Sequence, residues 1–394
     1  MGVNGMNHLK RNIKVEYVYK FLTSFDITAG IWVLYLGFKG LSLIEIGLLE
    51  SIFHLTSLIC EIPTGALADL LGRKKTIVMG RVCLLLSCII MLFADQFWFF
   101  ALAFIIQALG YNLNSGSEEA LIYDSMKELG QVEGYLSLQG RLNLIIEMAS
   151  GLAVFIGGML ADTSFSLSYI LAILVAITSL GISLQFSETS LVDEKSQISF
   201  LTHFKTCYEI LKQNLSLTGL LIFFPTICTF STVIYFYGQQ YFSEIGFTKT
   251  NIAVIFLFNG LISAIGALLV TKIETWLKGL AWFVVPILIG IAIIVFGLVK
   301  GVGSIVPFWL VSFFTAALWP ISSNRINAHV PSEQRATIIS ISSMFFSLMM
   351  IILFPICGFI GQYVSLNFAF IIMGAIHLIF VLGVVLKYGK NKVS

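Results

Sequence analysis

Runs of mostly apolar residues, broken by short polar stretches, recur along the whole chain. Each is long enough for a helix to cross the hydrocarbon core of a bilayer, which takes roughly 20 residues. The pattern predicts spans at 15–37, 45–68, 76–94, 97–120, 135–159, 166–186, 215–238, 249–271, 281–299, 305–327, 337–361 and 366–387. Short stretches of alternating polarity are absent, and in lipid a helix satisfies its backbone polar groups within one segment. The pattern therefore predicts an all-α membrane protein of twelve transmembrane helices.

The longest polar stretch, 187–213, begins Ser187-Glu188-Thr189 and contains Asp193, Glu194, Lys195 and Lys205. It divides the chain into an N-terminal six-helix bundle at 1–186, a linker at 187–213 and a C-terminal six-helix bundle at 214–394. Part of the linker, from Phe200 to Lys212, is expected to be a surface helix. Two echoes connect the halves. Gly65-Ala66-Leu67 recurs as Gly266-Ala267-Leu268, and Gly157-Gly158-Met159-Leu160-Ala161-Asp162 parallels Cys357-Gly358-Phe359-Ile360-Gly361-Gln362. Both offsets are about 200 residues, which supports parallel repeats related by a pseudo-twofold axis.

Basic residues orient the spans, because short cytoplasmic loops carry the excess of Lys and Arg. Arg73, Lys74, Lys75, Lys127, Lys272, Lys278, Arg335 and both tails fall on one side, against Lys39, Lys249 and Lys300 on the other. Both termini are thus expected in the cytoplasm, in a multi-pass protein of the inner or plasma membrane. Lys10, Arg11, Lys14 and Lys20 precede the first run with no small-residue cleavage site, so that run is read as a retained helix.

Composition narrows the function classes. Hydrophobic residues make up 58% and charged residues 11% of the chain, whereas about 25% charged is usual for a soluble domain. The net charge of +2, with no basic tract, gives no footprint for a nucleic-acid partner. The bilayer and a small-molecule substrate are the expected partners, and the chain is expected to act as a monomer. Cys60, Cys83, Cys88, Cys207, Cys228 and Cys357 are scattered and read as neither disulfides nor metal ligands. No Walker loop, His-Glu-x-x-His, Cys-x-x-Cys or Gly-x-Ser-x-Gly occurs. The chain is accordingly read as no enzyme, with no cofactor and no metal, powered by a proton gradient.

Between the second and third spans lies Gly65-Ala66-Leu67-Ala68-Asp69-Leu70-Leu71-Gly72-Arg73-Lys74-Lys75. Gly65 is expected to permit close helix approach and Gly72 a tight turn. Asp69 is placed to pair with Arg73 or Arg81. This run resembles the loop signature of the major facilitator superfamily, bacterial drug-efflux-type members in particular. The resemblance implies that Asp124, at the foot of the fourth span, joins the charge cluster, which latches the halves in an outward-open state. The run His329-Val330-Pro331-Ser332-Glu333-Gln334-Arg335-Ala336-Thr337 also resembles family members, and Arg325 just before it reads as a second latch. Two drug-antiporter signatures are degenerate. Ile106 stands where an Arg precedes the Gly at 110, and Ala153-Val154 stand where Gly-Pro precedes Gly157-Gly158.

Ionisable residues inside a span are costly and mark candidate function. They concentrate in the first half: Asp26, Glu50, His54, Glu61, Glu118, Glu119, Arg141 and Glu147. Proton coupling is assigned to Asp26 and Glu147, then Glu50, with His54 either a relay or a hydrogen-bond partner of Glu50, one helical turn away. Asn143 repeats that spacing with Glu147. Gln107, Tyr111, Asn114 and Glu118 predict a continuous polar stripe on the fourth span. Arg141 reads as an ion-pair partner of Glu118 or Glu119, and Glu61, before Pro63, as structural. In the second half, Phe223, Phe224, Phe230, Tyr235, Phe236, Tyr237, Phe256, Phe258 and Trp319 offer an aromatic wall, with Tyr235 and Trp319 chosen as cavity residues alongside Gln107, Tyr111, Asn114 and Asn143.

These features favour a proton-coupled secondary transporter exporting amphipathic or cationic compounds. The rival reading is a proton-coupled importer of a sugar or other small nutrient. A non-transporting membrane sensor is the reading from another class.

Overall fold

In the computed structural model, residues 3–189, 209, 212, 215–328 and 335–388 are described. Fifteen α-helices occur among them: α1 (Val3–Ser24), α2 (Trp32–Phe38), α3 (Leu43–Leu71), α4 (Arg73–Phe93), α5 (Phe97–Asn114), α6 (Ser117–Glu128), α7 (Tyr135–Thr163), α8 (Phe165–Ser183), α9 (Leu215–Glu244), α10 (Lys249–Leu268), α11 (Val270–Trp276), α12 (Ala281–Leu298), α13 (Ile305–Ala328), α14 (Arg335–Tyr363) and α15 (Leu366–Tyr388). Of the expected surface helix from Phe200 to Lys212 only Glu209 and Lys212 are described, and the run 329–334 lies outside the described residues.

Among the described residues, eleven helical segments are long and apolar enough to cross a membrane. The remaining crossing, expected as one helix over 15–37, is interrupted. The chain leaves α1 at Ser24, makes turns through Ile31 and restarts as α2. The cause is local: the Asp26 carboxylate accepts the Thr28 N–H at 2.9 Å and the Thr28 hydroxyl at 2.7 Å. Such a side-chain turn competes with the helical ladder. The fourth crossing is interrupted too. α5 ends at Asn114, and α6 begins after Gly116, whose φ is 75°. The expected continuous stripe through Gln107, Tyr111, Asn114 and Glu118 is therefore divided at this break.

The chain forms two compact units, Met1–Trp32 with Ile52–Phe200, and Val33–Ser51 with Leu201–Ser394. In the first unit, a Cβ on Gly157 would come within 2.0 Å of the Ile27 carbonyl oxygen, and one on Gly30 within 2.8 Å of Val154. The irregular segment between α1 and α2 thus rests directly on α7. α4 and α5 meet through Gly80 and Gly110; a Cβ on either would lie 2.9 or 3.0 Å from the other's carbonyl oxygen. At one end of this unit Val15, Tyr19, Ile77, Leu121, Ile122, Met126, Leu138, Leu142 and Phe186 form a buried core.

In the second unit α9 carries many of the buried rings. Phe223, Phe230, Tyr237, Tyr241 and Phe242 are fully buried; Tyr241 and Phe242 pack with Phe296 on α12, and Phe242 also with Phe308 on α13. The expected aromatic wall is mostly interior packing, because a ring between helices and a ring facing a cavity present the same apolar signal in sequence. α2 and the start of α3 join this unit by hydrogen bonds: Tyr237 Oη donates to the Leu43 carbonyl at 2.8 Å, and the Leu43 N–H donates to Gln362 Oε1 at 3.0 Å. Gly358 lets α14 approach there; a Cβ on it would lie 2.3 Å from the Leu43 carbonyl.

Candidate functional site

Asp26 sits in the break between α1 and α2, half-buried, where the ladder it interrupts leaves backbone groups open to side chains. Ser150 on α7 takes up one of these, donating to the Ser24 carbonyl at 3.2 Å. Farther along α7, Asn143 and Glu147 share an exposed face, while Leu142, Ala149 and Ala153 are buried. Gln107 hydrogen-bonds to Tyr111, whose ring meets Phe53 edge-on at 5.8 Å. Glu50 and His54 are both 8% exposed, one turn apart on α3, and the His54 ring is edge-on to Phe53 at 5.2 Å. Among the described residues, no three His, Cys, Asp or Glu side chains gather as metal ligands.

Other polar groups selected from the sequence are engaged in packing. Asn114 is buried, accepting the Tyr19 hydroxyl at 2.8 Å and donating to the Gly110 carbonyl at 2.8 Å. Tyr235 is half-buried among Phe236, Phe256 and Phe308. Trp319 is 68% exposed, and Arg325 lies over the Trp282 ring at 5.0 Å. Glu118 does not pair with Arg141; it forms an ion pair with Lys20. Arg141 is exposed and donates back to the Ser137 carbonyl at 3.3 Å.

A second group of residues is built around the start of α4. Gly72 has a φ of 91°, which reverses the chain between α3 and α4. The Glu188 carboxylate then accepts the N–H groups of Arg73 and Lys74, both at 3.0 Å. This satisfies two of the donors that every helix leaves open at its N-terminus and sets a negative charge against the positive end of the dipole. Arg73 also makes an ion pair with Asp124 on α6. Asn12 fixes the approach of Glu188, accepting the Ser187 N–H at 2.8 Å and donating to the Ser187 carbonyl at 2.8 Å and to Ser125 Oγ at 2.9 Å.

One expectation about this loop changes, and one falls on a side chain outside the described residues. A Cβ on Gly65 would meet nothing within 4 Å, so that glycine permits no close helix approach, whereas a Cβ on Gly266 would lie 2.2 Å from the Phe313 carbonyl oxygen. Arg81 is buried with its guanidinium over the Tyr19 ring at 5.4 Å, apart from the Arg73–Asp124 pair. Asp69 lies on α3, and its side chain is outside the described residues. Sequence reasoning also passed over Glu16, Lys20 and Glu188. Glu16 and Lys20 carried a signal, a carboxylate and an ammonium one turn apart at the edge of an apolar run. Glu188 carried none beyond being the first acid of the linker.

Residues 20–314 match the sequence profile of the Major Facilitator Superfamily. The chain belongs to this family. It is 25% identical over 259 residues to the MFS-type transporter YxaM of Bacillus subtilis strain 168, covering 63% of this chain and 62% of that one. It is 27% identical over 159 residues to the MFS-type transporter MJ1560 of Methanocaldococcus jannaschii, covering 40% of each. The chain thus matches less than two thirds of the length of either relative. Among solved structures it resembles a variant of the nucleoside transporter NupG, at TM-score 0.79 and 13% identity over 95% of this chain and 98% of that one. It also resembles a D-xylose-proton symporter, at TM-score 0.71 and 14% identity over 96% and 97%. At these identities the structures establish the fold, and the family is one of transporters rather than enzymes.

Proposed function

We propose that the protein is a proton-coupled secondary transporter that exports small amphipathic or cationic molecules by alternating access. Asp26 carries this reading: it is the ionisable group at a break in the first crossing, and transporters of several folds place coupling sites at interrupted helices. Glu147 and Asn143 supply an exposed polar face on α7, and Glu50 and His54 a buried pair on α3. Tyr111 and Gln107 are the polar cavity candidates on α5, and Tyr235 and Trp319 the aromatic ones; Asn114 is committed to Tyr19. The Gly72 turn, Arg73 and Asp124 form the gate, with Glu188 as its cap. In this reading both termini are cytoplasmic, the bundles are 1–186 and 214–394, and the chain works as a monomer in the cell membrane.

Uptake of a sugar or other small nutrient with protons is the second reading. It is favoured by Ile106 and Ala153-Val154, which depart from drug-antiporter signatures, and by the similarity in fold to a nucleoside transporter and a D-xylose-proton symporter. Everted vesicles holding a pH-sensitive dye separate the two. For export, adding a cationic dye substrate to energised vesicles releases protons from the lumen. For uptake, adding sugar or nucleoside to right-side-out vesicles makes the outside alkaline. Asp26→Asn or Glu147→Gln is expected to abolish uphill flux while leaving ligand binding within about twofold. Normal pumping by both variants would overturn the coupling assignment.

A further inference from the structure

Glu16, one turn before Lys20 on α1, is 2% exposed. Its carboxyl neighbours that of Glu118, and its Oε2 is buried with no partner. Glu118 is 8% exposed and takes the Lys20 ammonium in an ion pair. An ionised carboxylate has only acceptors. Two neighbouring carboxyls can therefore hydrogen-bond only with a proton on one of them. The charge count calls for that proton, since two acids share one ammonium in a site from which water is largely excluded, and burying the excess charge unpaired is costly.

The surrounding groups decide where the proton sits. Glu118 lies in the first turn of α6, a position created by the break at Gly116, where the helix dipole favours an anion. It also has Lys20. Glu16 lies inside α1, away from either helix end, and lacks that dipole. Of the other facing groups, the Tyr19 hydroxyl is given to Asn114, Arg81 lies over the Tyr19 ring, Glu119 is exposed, and the Tyr135 hydroxyl accepts from Gln139 at 2.6 Å. Two carboxyls in unlike environments divide into a neutral acid and an anion.

We infer that Glu16 and Glu118 form a proton-binding site of the first unit, in which Glu16 carries the proton and donates it to a Glu118 carboxylate held ionised by Lys20. On release the Glu16 O–H bond breaks and the proton passes to water, leaving two carboxylates against one ammonium. A role in coupling rests on the transport reading above; the shared proton itself does not.

The test uses the full chain in lipid nanodiscs, without substrate or gradient, and compares the infrared C=O stretch of protonated carboxyls near neutral pH. The wild type is expected to show a band that Glu16→Gln removes and Glu16→Asp shifts. Glu118→Gln is expected to remove it as well, because Lys20 then pairs with Glu16, which ionises. If Glu16→Gln does not fold, Glu16→Asp and Glu118→Gln still decide the matter. Absence of a Glu16-dependent band overturns the inference, and so does a band that persists unchanged in Glu118→Gln. Loss of proton-driven flux by the wild type, with the band behaving as stated, would instead sink the coupling reading and leave the site standing.

Discussion

Gly65 and Gly72 belong to one loop signature yet answer to different constraints. Gly65 is helical with nothing within 4 Å of a Cβ, so Gly65→Ala is expected to leave the fold intact and to raise stability by up to about 1 kcal/mol through helix propensity. Gly72 has a φ of 91°, and a Cβ there would lie 2.7 Å from the Glu188 carboxylate. Gly72→Ala should cost about 1–2 kcal/mol in backbone strain and displace the carboxylate from the α4 N-terminus. Melting temperatures of the two variants in one detergent check the contrast; equal shifts would refute it. The ion pair beside them is testable separately. Arg73 and Asp124 are largely shielded from water, with side chains 23% and 10% exposed. A double-mutant cycle of Arg73→Gln and Asp124→Asn should give a coupling of about 1–3 kcal/mol. A coupling near zero would mean the pair contributes only to topology.

At the scale of elements, the sequence predicts helices well and their interruptions poorly. Long apolar runs are unambiguous because lipid demands them. The break at Asp26 was nonetheless written in the chain, since Asp26, Thr28 and Gly30 interrupt an apolar run with residues that favour turns. Its physical support could not be read, because it lies across the fold in the bare face of Gly157 on α7. Gly157→Ala should drive a methyl into the Ile27 carbonyl and lower stability by about 1–3 kcal/mol, whereas Gly181→Ala, with open space around it, should not. Similar melting of the two variants would show that α7 does not support the break. The Gly116 break makes a second case. Gly116→Ala, at a φ of 75°, is expected to favour a continuous helix through α5 and α6. That would take Glu118 out of a first turn and weaken the infrared band assigned to Glu16, the readout being the band rather than stability alone. The buried rings of the second unit show the converse failure. Tyr235 and its neighbours gave a strong apolar signal, but such a signal does not distinguish lipid, cavity and core.

At the scale of the whole molecule, the number of crossings rests on the interrupted first one. Among the described residues eleven segments qualify by length and hydropathy, and α1 with α2 must supply the twelfth if both termini are to lie on one side. α2 has only seven residues, about 10 Å of helix at 1.5 Å per residue, so α1 has to contribute most of the membrane depth. The Asp26 break then falls inside the bilayer, where its loose backbone groups need the partners that the Ser150 hydroxyl and the Asp26 carboxylate provide. A crossing at this point separates Lys10 from Lys39, and the positive-inside rule puts Lys10 with Lys75 in the cytoplasm. In a background freed of the native cysteines, Lys39→Cys should react in intact cells with a membrane-impermeant maleimide. Lys10→Cys and Lys75→Cys should react only after permeabilisation. If the residues at 10 and 39 label from the same side, α1 and α2 do not cross. An odd count would then put the termini on opposite faces, and the gate at Gly72 would lose its assigned side of the membrane.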